Sequence, residues 1–425
     1  MKRIQVISLG CSKNLVDSER LMSVLQDRGY QLVPPDVDLT TGKVDEVIVN
    51  TCGFINDAKE ESINTILEAV RAKKEGYISK LSVFGCLSQR YRGEIEAEIP
   101  EVDSWQGVMT FDSIDRVLTT PSHYAYLKIS EGCDRRCSYC AIPLIRGPHV
   151  SVPVEKLVSE AEMLAARGVK ELILIAQDTA WYGLDLYGKR KLGYLLEQLS
   201  RVEGIEWLRL HYSYPDDFPE DVIEQMASNP KLCRYLDIPL QHSEDSVLRA
   251  MRRTITSSQT RDFIARLRRD IPNLVLRTTL MVGHPGEGRR EFESLLDFVK
   301  ECRFERLGAF EYSEEEGTYG ASHLKDEVSP EEKRERYERL MELQSGISLD
   351  YNISRIGTLE RVLVDGFQDG VLVARSYGES PEVDGQILIG DAASLSKVSP
   401  ETVAGQFLNV KIESADEYDL LANTI

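Results

Sequence analysis

The chain has 425 residues, 42% of them hydrophobic, a formal net charge of −19 and eight cysteines. That length supports two or three domains with buried cores, and the acidic balance opposes non-specific binding to nucleic acid, whose phosphates are gripped by Lys and Arg, so no stable DNA binding is expected. Residues 1–10 carry too short an apolar run for a signal peptide, and no stretch nears the roughly 18 apolar residues that span a bilayer. A cytoplasmic protein without a membrane partner is therefore expected, its thiols serving as metal ligands, catalytic groups or core residues rather than disulfides.

Residues 1–122 repeat an apolar strand, a turn and an amphipathic helix, the pattern of a parallel α/β sheet. Strands are predicted over 5–9, 46–50 and 81–84, and a cysteine follows each at once: Cys11, Cys52 and Cys86. The carboxyl ends of strands in an open parallel sheet share one edge, where ligands bind. Topology alone would thus gather three thiols from distant sequence on one rim. Three buried core thiols are the plain alternative, and the repeated topological position argues against it.

Residues 123–328 hold six strand-like runs, 126–130, 171–176, 207–212, 235–239, 274–282 and 306–312, separated by helices such as 154–167, which ends at Gly168. This predicts a partial, open (β/α)6 barrel with its active site at the carboxyl ends of the strands. The residues there are polar or permissive: Gln177-Asp178-Thr179, Ser213-Tyr214-Pro215, Gln241-His242-Ser243 and Gly283-His284-Pro285-Gly286-Glu287.

Directly after the first of these strands stand Cys133, Cys137 and Cys140, a CxxxCxxC run. A 4Fe-4S cluster needs four ligands, so three thiolates leave one iron open for a chelating small molecule. A zinc knuckle is the bland alternative, but it wants four closed ligands in paired spacing, and no fourth Cys or His lies at such a spacing. The run resembles that of the radical S-adenosylmethionine superfamily, in which the open iron holds the amino and carboxylate groups of the cofactor.

A charged connecting helix is predicted over 329–352, with Ser329 as N-cap, Pro330 at the first helical position and Glu332 closing a capping box. Residues 353–425 alternate short strands with Gly and Asp turns, as a small antiparallel β-barrel would. This segment has five basic residues (Arg355, Arg361, Arg375, Lys397, Lys411) against twelve acidic ones, a balance of −7.

Taken in this order, the three pieces resemble the radical-SAM methylthiotransferases over essentially the whole chain. The strings that carry the resemblance are Leu9-Gly10-Cys11-Ser12-Lys13-Asn14, Asn50-Thr51-Cys52-Gly53-Phe54-Ile55, Gly85-Cys86, Ser130-Glu131-Gly132-Cys133 through Cys140, and Ala141-Ile142-Pro143-Leu144-Ile145-Arg146-Gly147. Residues 130–137 with Arg146-Gly147-Pro148 look like the branch acting on an aspartate of ribosomal protein S12. An acidic terminal barrel suits a basic ribosomal protein better than RNA. Ser12, where many relatives have proline, and His284 and Gly288, where relatives often show Phe and Thr, depart from the pattern.

The resemblance implies methylthiolation of the aspartate β-carbon with two 4Fe-4S clusters and S-adenosyl-L-methionine. Cys133, Cys137 and Cys140 would hold the radical-SAM cluster, and Cys11, Cys52 and Cys86 an auxiliary cluster carrying the sulfur. An unactivated C–H bond gives acid–base catalysis little to work with, so the cofactor carries the hard step. Partners implied are S12 or the small ribosomal subunit, a reductant protein and a sulfur donor. Tyr139 is expected against the adenine, Gln177 and Asp178 near the cofactor's methionine end or ribose, and Gly283, Pro285, Gly286 and Glu287 as a backbone approach to adenine. Each of these also has a structural reading in loop packing or a βα turn. Arg252 and Arg253 could pair with a carboxylate or be helix surface charge. His211, His242 and His284 are expected as hydrogen-bonded structural residues, Cys233 and Cys302 as buried thiols, and Trp181 and Tyr182 at the substrate mouth or in loop packing. Two other functions fit parts of the pattern. A transfer RNA adenosine methylthiotransferase would need basic and stacking surface, and a non-catalytic iron-sulfur carrier would want closed four-cysteine sites.

Overall fold

The structure is a computed structural model that describes residues 1–390 and 403–425. Lys397, counted in the charge of the terminal segment, lies outside the described residues. The first sheet is wholly parallel, in spatial order Gln31–Val33, Arg3–Ser8, Glu46–Thr51, Lys80–Gly85 and Ser104–Trp105. The three predicted strands are its centre. The two edge strands have only three and two residues, too few for a sequence period to show. Val47, Val49, Leu81 and Val83 are buried with Ile66 and Ala69 of the helix Asn56–Lys74. Helices cover both faces of such a sheet, which is why its strands read as apolar runs.

The second sheet holds six parallel strands in sequence order: Tyr124–Lys128, Glu171–Ile175, Trp207–Leu210, Leu232–Asp237, Val275–Val282 and Arg306–Glu311. It does not close, as expected of a partial barrel. Side chains alternate across it. Ala125 and Leu127 pack on Leu157, Ala161 and Leu164 of the helix Val154–Ala166, while Tyr124 and Tyr126 face the other way with Val16 of the first domain. The inner face is polar: Glu171 and Arg209 are fully buried there and paired at 2.7 Å.

The terminal strands Leu359–Gln368, Val371–Arg375, Ile387–Ile389, Phe407–Ala415 and Leu420–Thr424 form a closed barrel around Val362, Val364, Ile387, Val410 and Ile412. Its segment 376–384 reaches into the six-stranded sheet. Arg209 donates to the Tyr377 carbonyl at 2.7 Å, Tyr235 donates its hydroxyl to Asp384 at 2.7 Å, and Arg306 pairs with Glu379 at 3.0 Å. Five of the twelve acidic residues counted above, Glu360, Asp365, Glu379, Glu382 and Asp384, are engaged by Arg or Tyr partners. Arg355 and Arg375 are already counted in the balance of −7, whereas Arg306, which pairs with Glu379, comes from the six-stranded sheet.

The helix Pro330–Ser354 begins as its sequence requires, with the Ser329 hydroxyl accepting from the Glu332 N–H at 3.2 Å. Glu332 does not complete a capping box; its carboxylate turns one helical turn along to Arg336. Leu340 and Ile347 of this helix belong to the core of the six-stranded sheet. Among the described residues no helix is long and apolar enough to cross a membrane.

Candidate functional site

Cys11, Cys52 and Cys86 follow the carboxyl ends of three adjacent strands. Cys11 is the exposed N-cap position of the helix Ser12–Asp27, and Cys86 is the first residue of the helix Cys86–Glu98. Gly10, at φ 84°, makes the approach possible: a Cβ there would stand 2.7 Å from the Cys52 Cβ and 2.8 Å from its sulfur. Asn14 ties the rim together, donating to the carbonyls of Leu9 at 2.9 Å and Thr51 at 3.1 Å. The Cys52 N–H donates to the Ser62 hydroxyl at 3.0 Å. Burial, only partly offset by the Arg146 charge, pushes the Cys86 thiol up to about 11, and burial also raises Cys52.

The second set lies on the loop after Tyr124–Lys128. A short ladder between Ser130–Glu131 and Val150–Ser151 frames the loop, and the Cys133 N–H donates to the Gly147 carbonyl at 3.1 Å. Gly132, at φ 73°, allows this crossing, since a Cβ there would meet the Gly147 carbonyl oxygen at 2.6 Å. The Cys140 N–H reaches the Cys137 carbonyl at 3.2 Å, and the Ser138 N–H reaches Met251 at 2.9 Å. Burial pushes the Cys133 thiol up to about 12 and Cys140 higher, and the neighbouring Cys137 raises both further.

Among the described residues no three His, Cys, Asp or Glu side chains gather around one point as a single ion requires. The thiolates of a 4Fe-4S cube bind separate irons and stand farther apart than ligands of one ion. Two sets of three soft sulfur donors thus suit such clusters better than closed zinc sites.

A buried polar network ties Cys86 of the first set to residues that flank the second set in sequence, Glu131 and Arg146. Arg146, at the end of the helix Ile142–Arg146 behind the second set, donates to the Cys86 sulfur at 3.3 Å, to Asp17 at 2.8 Å and to Glu131 at 2.9 Å, and also bonds the Asn14 side-chain oxygen. Lys128 pairs with Asp17 and, at 2.8 Å, with Glu131; Gln177 donates to the other oxygen of Glu131 at 2.8 Å. Burial pushes the Glu131 carboxyl up, but Lys128 and Arg146 outweigh it and hold the group down at about 2. Sequence reasoning missed Asn14, Asp17, Lys128 and Glu131 as a unit. The available signal was Lys128, a charged residue inside an otherwise apolar strand.

The other anticipated residues divide. The Tyr139 hydroxyl accepts from Arg253 at 3.3 Å, and its ring meets His284 edge-on at 6.2 Å. Arg253 also stacks on Tyr214 at 4.2 Å and donates to the Pro239 carbonyl at 2.8 Å. Arg135, inside the cysteine loop, stacks on both Tyr214 and Trp181, at 3.9 and 4.3 Å, and pairs with Asp178 at 3.0 Å. Asp178 additionally accepts from the Ala180 N–H at 2.9 Å, so both its oxygens are taken. Gln177 touches the cysteine region through Glu131, with its own carbonyl oxygen buried and unpartnered among the described residues.

Glu287 is buried and stands 3.2 Å from His242. Its carboxylate accepts from Arg336 at 2.6 Å and from the Gly283 N–H at 3.0 Å, closing its own turn. Gly283 packs on Lys333 of the long helix, and Gly286, at φ 93°, faces Ala250. Pro285 offers its carbonyl to His284 at 2.9 Å, and His284 in turn reaches the Ser138 hydroxyl at 3.2 Å, which links this turn to the cysteine loop. His211 bonds Ser380 and His242 accepts from the Glu244 N–H. Burial pushes His211 down to about 3 and His284 down to about 4, so both are neutral. Arg252 stacks on Tyr319 at 4.5 Å, the Tyr182 hydroxyl donates to the Val152 carbonyl at 2.7 Å, Cys233 is buried under the terminal barrel and Cys302 is half-buried.

Residues 127–299 match the Radical SAM superfamily, residues 3–107 the Uncharacterized protein family UPF0004 and residues 356–425 the TRAM domain. The chain is 47% identical to the ribosomal protein uS12 methylthiotransferase RimO of Phocaeicola vulgatus, over 100% of both chains. It is 49% identical to the protein of that name from Porphyromonas gingivalis, over 100% of this chain and 99% of the relative. Among solved structures, the radical S-adenosylmethionine methyltransferase TsrM from Kitasatospora setae, with cobalamin and a 4Fe-4S cluster bound, superposes with a TM-score of 0.53 at 14% identity, covering 73% of this chain and 75% of that one. That likeness concerns the fold alone. The identity to curated relatives, near one half and end to end, has a wider reach: the chain belongs to the ribosomal protein uS12 methylthiotransferase family.

Proposed function

We propose that this protein methylthiolates the β-carbon of an aspartate of ribosomal protein S12 by radical S-adenosylmethionine chemistry. The observation that carries the reading is the pair of three-thiol sets whose flanking residues Asp17, Lys128, Glu131 and Arg146 are bonded into one buried network that also reaches Cys86. A substrate carbon has to meet both a radical and a sulfur, and this network holds the two sets in one frame. Cys133, Cys137 and Cys140 would hold the radical-SAM cluster, and Cys11, Cys52 and Cys86 the auxiliary one. When bound, the clusters and S-adenosylmethionine supply the hydrogen abstraction and the sulfur that an unactivated C–H bond needs.

The chain's own residues bind and orient. Tyr139 lies against the adenine, held by Arg253. Gln177, whose carbonyl oxygen lacks a partner, takes a polar group of the cofactor, while Asp178 acts through Arg135 by fixing it over Trp181 and Tyr214. Gly283, Pro285 and Gly286 present backbone at the mouth, and Glu287 keeps that turn in shape. The working division is 1–122 for the auxiliary set, 123–328 for the partial barrel, 329–352 for the connecting helix and 353–425 for the terminal barrel. A cytoplasmic reductant protein and a sulfur donor complete the system, with free S12 or the assembled small subunit as substrate. The transfer RNA reading is not favoured, because the named relatives bear a uS12 activity over their full length.

The test is mass spectrometry of S12 and of total transfer RNA after anaerobic incubation with the reconstituted protein, reductant, sulfide and S-adenosylmethionine. A methylthio group on an S12 aspartate is expected; the same group on a transfer RNA adenosine would overturn the assignment.

A further inference from the structure

Lys13 stands two residues past Cys11, in the first turn of the helix Ser12–Asp27, and is only 8% exposed. Its Nζ lies 3.4 Å from the ring centroid of Tyr212. Among the described residues no hydrogen bond or ion pair reaches it. The Nζ is not shut off from solvent, so its three donors stay open to an acceptor that a ligand brings. The carboxylate one turn along, Asp17, is already held by Lys128 and Arg146.

Tyr212, the partner ring, follows the strand Trp207–Leu210 at the barrel mouth and has φ 57°, an unusual backbone for an aromatic residue. Three hydrogen bonds hold it there: its N–H to Asp237 at 3.1 Å, and its carbonyl from the Thr179 N–H at 3.1 Å and the Thr179 hydroxyl at 3.3 Å. Local strain maintained in this way clusters at ligand sites. Lys13 therefore reaches from the Cys11 rim to the barrel mouth, a free positive charge between the places where sulfur and radical are to meet.

We infer that Lys13 binds the carboxylate of the substrate aspartate side chain; this rests on the function proposed above. Reaction at the β-carbon leaves that carboxylate unchanged, so one charge-assisted contact can hold the residue from docking to product. An asparagine in the same place would offer no charge, which makes Lys13 a specificity-determining residue. The other carboxylate available at this site is that of S-adenosylmethionine, and the experiment separates the two.

Reconstituted wild type, Lys13→Gln and Lys13→Arg are compared for binding of S12-derived peptides carrying either the target aspartate or asparagine, for S-adenosylmethionine affinity, for iron content and for peptide methylthiolation. Wild type and Lys13→Arg are expected to prefer the aspartate peptide by roughly tenfold to a hundredfold, the worth of a hydrogen bond to a charged group. Lys13→Gln should bind both peptides alike, with iron content and cofactor affinity kept. A preserved preference in Lys13→Gln overturns the inference, as does a loss confined to cofactor affinity or a fall in iron content. If wild type modifies no aspartate peptide or S12, the functional reading fails first and takes the inference with it.

Discussion

The guanidinium of Arg146 is 3.3 Å from the Cys86 sulfur, although the two residues stand on different helices and 60 positions separate them. The same side chain pairs with Asp17 and Glu131. Arg146→Met would leave Lys128 as the one cation paired with both carboxylates among the described residues, with Gln177 still bonded to Glu131. Breaking a buried pair of this kind costs about 3–5 kcal/mol, and that loss is expected in urea denaturation, with Arg146→Lys recovering part of it. A loss under about 1 kcal/mol would show that the network is not what joins the domains.

The two cysteine sets should separate functionally. Cys52→Ala is expected to reconstitute with about half the wild-type iron, because a cube missing one of three protein ligands is poorly held. Cleavage of S-adenosylmethionine should persist in that variant while sulfur insertion stops. Cys137→Ala should lose cleavage outright. Iron analysis and chromatography of 5′-deoxyadenosine read both, and loss of cleavage in Cys52→Ala with the second cluster intact would contradict the division of labour.

Tyr139→Ala should weaken S-adenosylmethionine binding by roughly tenfold to a hundredfold, the usual worth of one aromatic stack on a base. Tyr139→Phe keeps the ring and loses only the bond from Arg253, so its affinity should stay close to wild type. Equilibrium dialysis with the labelled cofactor distinguishes stacking from hydroxyl contact.

Much of this arrangement could be read from the chain and some could not. The cysteine positions were legible because a parallel sheet sends every strand's carboxyl end to one edge, so Cys11, Cys52 and Cys86 needed only a strand period to be placed. Cys133, Cys137 and Cys140 were legible as a local spacing. The bond between Arg146 and Cys86, and the pairing of Asp17 with Lys128, depend on how one domain docks on another, and no sequence period encodes docking. Glu287 read as a cofactor neighbour because its turn is glycine-rich, and its bond to Arg336, from a helix 49 residues away, was not legible from that turn. The charge count of the terminal barrel could not show where its carboxylates go: Glu379 and Asp384 are taken up by buried Arg306 and Tyr235 of the six-stranded sheet.

Acid should loosen the contact between that barrel and the six-stranded sheet. Burial raises the Glu171 and Glu379 carboxyls, but Arg375 and Arg209 at the first, and Arg355 and Arg306 at the second, hold both below the ordinary 4.5. The unfolded chain then takes up protons at a higher pH than the folded one. The stability these groups contribute is complete above about pH 4.5 and is lost as the pH falls through their folded values. The urea midpoint should be flat from about pH 7 to 5 and then drop, and Arg375→Met should lower the plateau and shrink the drop.

The 376–384 segment gives the terminal barrel a second occupation, as the stopper of an incomplete one. A chain cut before residue 353 would bare Glu171, Arg209 and Tyr235 to water, so truncation tests stability and substrate recognition at once and cannot assign either. By the same logic, grafting a terminal barrel from one relative onto another should succeed only when the stopper travels with the arginines and tyrosines it was shaped against, which makes those contacts a single heritable module spanning two domains.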